Sequence, residues 1–325
     1  MYKYCICNLR KNSISFSYFL KLFIFTFYLL PIYAFANDSY YSGPIIDAHI
    51  HLENGHEAYI IEQMKKANVA SVVTMAVPGK NTKLNSNYKD IFQLCDAEFV
   101  TPLSNKNFET AKYFSVRHKT NECFGFGEVG LRHYDKEKKR KRNKSQKTLI
   151  VDLDNMSILN YIKIADKQKK PIVFHIEPSF DVKKINRLEE VKEFYINVCS
   201  KFPNLKIIAA HTGMMDSKDL KDLFQKCENL YADFKIMHGP RGYEGFRDLY
   251  PIHSKGMKIF LDWKNLIYEF PDRFLLGTDF KPKKHKVKRN YFEAIQQIRS
   301  IFQEFPIHIQ EKIFFKNAKF VYNIN

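Results

Sequence analysis

The stretch Pro44-Ile45-Ile46-Asp47-Ala48-His49-Ile50-His51 decides the fold prediction. Its apolar residues predict a buried β-strand. Its two histidines are two residues apart, so both imidazoles lie on one face of that strand. Histidine is the commonest metal ligand in proteins. The stretch therefore predicts a strand that ends in a pair of metal ligands, although a His-x-His spacing also arises by chance.

Four later segments have the same design, a short strand-like run that closes with a residue able to bind a metal. They are Phe124–Glu128, Pro171–His175, Leu205–His211 and Phe274–Asp279. Taken singly, His175 and His211 fit hydrogen-bonded core histidines, and Asp279 fits a helix cap. The recurrence of the pattern in one chain favours a shared site instead.

Strand-like and helical segments alternate from Ile45 onward. The predicted strands are Ile45–His49, Ala70–Val77, Phe99–Leu103, Cys123–Glu128, Ile172–His175, Lys206–His211, Leu230–Phe234 and Phe274–Asp279. Apolar spacings of three and four residues predict helices between them, as in Ala58-Ile61-Met64-Ala67 and Leu159-Ile162-Ala165. This pattern is typical of the α/β class and of a (β/α)8 TIM barrel. A doubly wound open sheet is the alternative fold.

In such a barrel, a metal site is expected at the carboxyl ends of the strands, because residues distant in sequence meet there. The candidate ligands are His49, His51, Glu128, His175, His211 and Asp279. Imidazole and carboxylate ligands suit zinc, which is the first expectation, and also manganese, iron or nickel. Two ions per chain are one arrangement. A single ion is the other, held by His49, His51, His175 and Asp279.

Residues 1–36 predict a secretory signal peptide, which leaves residues 37–325 as one barrel domain. Basic residues precede an apolar stretch, Phe19–Ala36, that closes with the small-x-small sequence Ala34-Phe35-Ala36. An uncleaved membrane anchor is the alternative, because the stretch approaches the roughly 20 residues that span a bilayer. The prediction is a secreted or periplasmic protein without a membrane span after removal of the signal.

The chain is strongly basic, with a formal net charge of +17 at pH 7. Much of the excess lies in two runs, Lys136–Lys147 and Lys281–Arg289. Such runs are usually solvated loops, but they also attract anionic substrates or nucleic acid. Neither run contains an aromatic residue on which bases could stack. A small-molecule substrate of anionic character is therefore favoured over nucleic acid as the partner.

The segments described above resemble the metal-dependent amidohydrolase superfamily, including its amidohydrolase-related and TatD-like branches. Asp47–His51 is similar to the strand-one signature, and Gly127–Leu131 is similar to the strand-four segment of TatD-like hydrolases. Further similar segments are Phe174-His175, Ala210–Gly213, Pro271–Asp279 and Phe315–Ala318. The resemblance covers essentially the whole chain after the signal. It implies a (β/α)8 barrel with its metal site at the mouth.

The resemblance further implies a hydrolase that uses a metal-activated water to cleave a C–O, C–N or P–O bond of a small substrate. Asp279 is then the expected proton acceptor, while His211 binds a second ion or stabilises the oxyanion. Substrate-binding residues are expected directly after the ligands, at Arg132, His133 and Lys281. The alternatives are a TatD-like nuclease or phosphodiesterase, a non-catalytic nucleic-acid-binding barrel, and a non-catalytic metal binder.

Overall fold

The computed structural model describes residues 40–53, 55–75, 88–95, 124–133, 149–180, 185–235, 258–282 and 290–325. Outside these residues lie the predicted signal peptide, the predicted strand Phe99–Leu103, the basic run Lys136–Lys147 and most of the run that starts at Lys281. Within the described ranges, none of the helices has both the length and the apolar character needed to cross a membrane.

Eight parallel strands surround a common interior in the described part of the chain. They are β1 Ile45–Ile50, β2 Val69–Thr74, β3 Ile91–Gln93, β4 Phe126–His133, β5 Ile172–Ile176, β6 Ile207–Ala209, β7 Leu230–Lys235 and β8 Phe274–Gly277. Strands β1 to β3 form one sheet, and β4 to β8 form a second. Isolated parallel bridges join the sheets at both edges, Cys95 to Phe126 and Ile50 to Phe280. This is the predicted (β/α)8 architecture and not the open sheet.

Helices follow the strands and alternate with them along the chain. They are α1 Glu57–Ala67, α2 Met156–Lys167, α3 Leu188–Lys201, α4 Ser217–Lys226, α5 Leu261–Glu269, α6 Tyr291–Phe302, α7 Ile307–Glu311 and α8 Asn317–Tyr322. Helices α1 and α2 contain the two apolar patterns that predicted helices. Asp216 caps α4, because its Oδ1 accepts a hydrogen bond of 2.8 Å from the Asp219 amide.

Strand limits differ from the prediction at β4 and β6, and strand β3 was not predicted. The predicted strand Phe99–Leu103 lies outside the described residues, so it stays a prediction. Strand β4 continues past Glu128, because its last residues pair antiparallel with the short strand Leu149–Ile150. Strand β6 ends at Ala209, where the chain enters a tight turn, so His211 follows the strand. The expectation that Glu128 closes its strand is therefore wrong.

The core has two parts, one between strands and helices and one inside the barrel. Inside, residues from the strands pack against the C-terminal segment; they include Ile46, Val73, Val173, Ile208, Leu275, Ala318, Val321 and Tyr322. Asn317 fixes this segment, because its Nδ2 donates to the carbonyl oxygens of Pro271 and Phe274 at 2.8 Å each. Apolar packing thus fills the barrel interior. Of the candidate ligands, His49, Glu128 and His175 lie within β1, β4 and β5, whereas His51, His211 and Asp279 follow β1, β6 and β8.

Asp47, fully buried in β1, ties this strand to β8 and α6. Its carboxylate accepts hydrogen bonds from the Thr278 amide at 3.0 Å, the Thr278 hydroxyl at 2.6 Å and the Tyr291 hydroxyl at 2.8 Å. It also accepts from the His49 amide at 3.2 Å. Burial raises the pKa of Asp47 to about 6, although these hydrogen bonds oppose the rise. Asp47 therefore holds the backbone that carries His49 in place.

Replacement of Tyr291 by phenylalanine is expected to destabilise the protein by about 1–2 kcal/mol, because Asp47 loses a buried donor. The aromatic packing of the ring against Phe280 would remain. Urea unfolding measures the difference. Tyr195→Phe is the matched control, since the Tyr195 hydroxyl is also buried but has no hydrogen-bond partner in the described structure. Equal stability of the two variants would contradict the role assigned to the Asp47 network.

Candidate metal centre

The two histidines of the β1 motif face Asp279, which follows β8. His51 Nε2 lies 3.0 Å from Asp279 Oδ1, and the Nε2 atoms of His49 and His51 are 3.4 Å apart. Glu128 Oε2 completes this group, at 3.4 Å from His51 Nε2 and 3.6 Å from His49 Nε2. Four residues from three strand regions thus bring nitrogen and oxygen donors to one place.

Glu128 also faces a second pair of histidines. Its other carboxylate oxygen, Oε1, lies 2.6 Å from His175 Nδ1 and 3.4 Å from His211 Nε2. The rings of His175 and His211 meet edge to face, with centroids 5.1 Å apart. All six predicted ligand residues therefore lie together, and the glutamate carboxylate stands between two histidine pairs.

A left-handed turn brings His211 into the site directly after β6. His211, Thr212, Gly213 and Met214 have φ angles of 56°, 58°, 66° and 54°. For residues other than glycine, the left-handed region carries a steric cost of roughly 1–2 kcal/mol per residue. Such a turn persists only where surrounding contacts hold it, so the position of His211 depends on its neighbours.

Gly277, the last residue of β8, allows the strand to pass close to the site. A Cβ atom at this position would lie 2.8 Å from the Cβ of His49 and 3.1 Å from the Cβ of Asp233. Both atoms belong to buried residues with little room to move. Any side chain at position 277 would therefore displace a candidate ligand and its neighbour.

Asp233 is a component of the site that the sequence analysis missed. It lies in β7, is 1% exposed, and its Oδ2 is 2.8 Å from His49 Nδ1. Its Oδ1 accepts a hydrogen bond of 2.8 Å from the backbone amide of His211. A single acidic residue in the apolar run Leu230–Phe234 was the available signal, because an unpaired carboxylate is rarely buried in a strand.

The acidic residues of the site stabilise positive charge on its imidazoles. Burial by itself lowers the pKa of His49, but the carboxylates of Asp233 and Glu128 outweigh it and raise that pKa well above its ordinary value. In the same way, burial opposes the rise that Glu128 and Glu177 cause, and the pKa of His175 is about 9. Burial raises the pKa of Glu128, but the charges of His175 and His49 outweigh it and hold the pKa well below its usual range. The site thus favours cationic charge.

A divalent metal fits this donor set. Two groups of three residues have ligand atoms that lie within 4.8 Å of one another: His49, His51 and Asp279, and Glu128, His175 and His211. Imidazole nitrogens and carboxylate oxygens are ligands of zinc and of related transition metals. A third such group, His49, His211 and Asp233, includes the carboxylate on the Nδ1 side of His49. That is the arrangement of an outer carboxylate that orients a ligating histidine.

The predicted substrate-binding residues have different surroundings. The Lys281 Nζ lies 3.2 Å from Asp279 Oδ1, and this side chain is 37% exposed. Arg132 is fully buried and pairs through Nη2 with Glu190 in the first turn of α3, while its Nε and Nη1 atoms have no hydrogen-bond partner in the described structure. His133 ends β4, and its side chain lies outside the described part of the protein. Glu177 is buried, and its Oε1 is 3.5 Å from His175 Nε2.

Two sequence families match this chain, and together they span the barrel. The family described as TatD related DNase matches residues 46–200, which include Glu128 and His175. The family described as Amidohydrolase matches residues 165–324, which include His211 and Asp279. No curated protein matches the sequence.

Solved structures share the fold at low sequence identity. A probable 2-pyrone-4,6-dicarboxylic acid hydrolase of Acinetobacter baumannii, with citric acid bound, is 12% identical with a TM-score of 0.54 over 86% of this chain and 99% of that chain. An amidohydrolase of Burkholderia multivorans with bound zinc is 11% identical with a TM-score of 0.54, over 87% and 100%. A uronate isomerase of Bacillus halodurans is 12% identical with a TM-score of 0.50, over 84% and 70%.

Proposed function

We propose that this chain is an exported hydrolase of the metal-dependent amidohydrolase superfamily with two divalent ions, zinc first among them. Its substrate is a small anionic molecule with a C–O, C–N or P–O bond to be cleaved. The position of Glu128 supports this proposal most strongly. Each of its carboxylate oxygens faces a different histidine pair, which suits a carboxylate shared by two cations.

In this proposal, His49, His51 and Asp279 would hold one ion, His175 and His211 would hold the other, and Glu128 could contribute to both sites. Bound ions would supply Lewis acidity for the activation of water and the polarisation of a substrate oxygen. The protein supplies the proton acceptor. Asp279 lies within the candidate metal centre, where its Oδ1 is 3.0 Å from His51 Nε2 and 3.2 Å from Lys281 Nζ. Its carboxylate receives the proton of the attacking water and returns it to the leaving group.

A cationic side chain next to the candidate ligands supports an anionic substrate. The Lys281 ammonium beside Asp279 is partly exposed and can attract a carboxylate or phosphate to the mouth.

The predicted signal peptide supports a location outside the cytoplasm, in the periplasm or the medium. Detection of the mature chain in a periplasmic extract, starting at residue 37, would agree with this location. A full-length chain in the membrane fraction would instead favour the uncleaved anchor.

A TatD-like phosphodiesterase or nuclease is the second candidate function. The TatD family match over residues 46–200 and the net charge of +17 favour it. The same metal centre would then act on a P–O bond. Binding of nucleic acid without cleavage is a separate outcome, recognised by an affinity that falls steeply with salt while the metal-loaded protein leaves the strand intact.

A substrate panel with the metal content measured in parallel tests the proposal. Protein purified without added metal is analysed for zinc, manganese, iron and nickel, then stripped with a chelator and reloaded. We expect turnover of lactones, amides or phosphodiesters to disappear on stripping and to return with the ion. A Lys281→Met variant should raise the KM for an anionic substrate more than for its neutral ester. Metal-loaded protein that cleaves none of the three bond types would contradict the proposal.

A further inference from the structure

We propose that Asp233 is a positioning residue for both halves of the metal centre: one carboxylate oxygen orients the His49 ring, and the other fixes the turn that carries His211. This inference rests on the proposed function, since it assumes that these histidines are metal ligands. It extends that function, because it makes a residue outside the ligand set responsible for both ion sites.

The first contact sets which nitrogen of His49 is available. Asp233 Oδ2 lies 2.8 Å from His49 Nδ1, so this nitrogen carries a proton and donates it. Nε2 then faces His51 and Glu128, at 3.4 Å and 3.6 Å. An imidazole with its proton held on Nδ1 offers a lone pair at Nε2 once a metal is bound. The ring is fully buried, and Asp233 is the acidic residue on its Nδ1 side.

The second contact holds the turn after β6. Asp233 Oδ1 accepts the hydrogen bond of the His211 amide at 2.8 Å and lies 3.6 Å from His211 Nδ1. His211 begins the left-handed residues of this turn, where the backbone depends on outside contacts. The rings of His49 and His211 are stacked, with centroids 4.8 Å apart, so a shift of one ring affects the other.

The surroundings of Asp233 leave its carboxylate in one orientation. The side chain is 1% exposed, and its Cβ and Cγ face Gly277 of the neighbouring strand β8. An ionised carboxylate has two acceptor oxygens, and both are used here, one for each half of the site.

An Asp233→Asn variant tests this arrangement without changing the size of the side chain. An amide has one acceptor oxygen and one NH2 group, so one of the two contacts must fail in either orientation. We expect the affinity for zinc, measured by competition with a chromogenic chelator, to fall about 10-fold to 100-fold. In cadmium-loaded protein, both 113Cd resonances should shift, because both ligand histidines lose part of their support.

Asp262→Asn is the control, since this exposed residue of α5 contacts Ser217 and, within the described ranges, no histidine. Urea unfolding of the metal-free proteins separates a loss of affinity from a loss of folding. Should Asp233→Asn fail to fold, 15N-edited NMR of the zinc-loaded wild-type protein provides the second test: a slowly exchanging Nδ1 proton is expected on His49.

Wild-type zinc affinity in Asp233→Asn, or the absence of that proton, would overturn the inference. These readouts do not require turnover. A protein that binds zinc as described but hydrolyses nothing would overturn the proposed function alone.

Discussion

A Glu128→Ala variant is expected to keep at most one of two zinc equivalents and to lose turnover by about 10²-fold to 10⁴-fold, since a lost ion removes several kcal/mol of transition-state stabilisation. Glu128 is the residue whose two oxygens face both histidine pairs. Its removal leaves four histidines and Asp279 with no carboxylate between them. Elemental analysis of the purified variant and steady-state kinetics measure the two effects.

Comparison with a His49→Ala variant distinguishes a centre with one ion from a centre with two ions. Loss of His49 should reduce metal content whether the centre holds one ion or two, because this histidine belongs to the group with His51 and Asp279. Glu128→Ala should remove one equivalent only if the centre holds two. Glu193→Ala, an exposed acid of α3, is the control. Wild-type metal content in Glu128→Ala would favour a single ion held without the glutamate.

An Asp279→Asn variant is expected to retain most of its metal but to lose turnover by about 10²-fold to 10⁴-fold, the usual contribution of a positioned general base. The amide oxygen can still face His51, but it cannot accept a proton from the attacking water. Single-turnover kinetics with the fully loaded protein measure the chemical step. The loss should persist at every zinc concentration that saturates the site.

The control for this experiment is Asp272→Asn, seven positions earlier in the same chain region. Asp272 is exposed and pairs with Lys312 at 2.8 Å, away from the ligand group. An Asp279→Asn enzyme that keeps both its metal and most of its turnover would remove Asp279 from the role of proton acceptor. A variant that loses metal and activity together would indicate that Asp279 acts mainly as a metal ligand.

The grouping of the candidate ligands was predictable because these residues lie at or near the ends of short apolar runs. His49, His51, His175 and Asp279 follow the pattern of strands whose carboxyl ends meet, and the structure brings them together. The exact strand limits were not predictable. Pairing with Leu149–Ile150 extends β4 beyond Glu128, and no local pattern in the sequence indicates that long-range partner.

Contacts made across the barrel were the main part that the sequence did not reveal. Asp233 pairs with His49, which is 184 positions away. Arg132 was expected at the open mouth, but its buried guanidinium pairs with Glu190. The left-handed turn at His211 could not be predicted from the sequence. Of its four residues, only Gly213 is of a type that favours a positive φ angle. At each of these positions, contacts between residues distant in sequence determine the conformation, and the local sequence does not indicate them.

The two sheets of the barrel meet between β1 and β8 at the isolated bridge Ile50 to Phe280, next to backbone hydrogen bonds from the His51 amide to Phe280 and from the Asp279 amide to His49. The candidate ligands come from both sides of this seam, with His49 and His51 on one side and Asp279 on the other. An ion held there would connect β1 to the residues after β8 through its ligands, and its binding free energy would add to the folding free energy. Starvation for the ion would then shorten the lifetime of the protein in the cell, because an open seam exposes the chain to proteases.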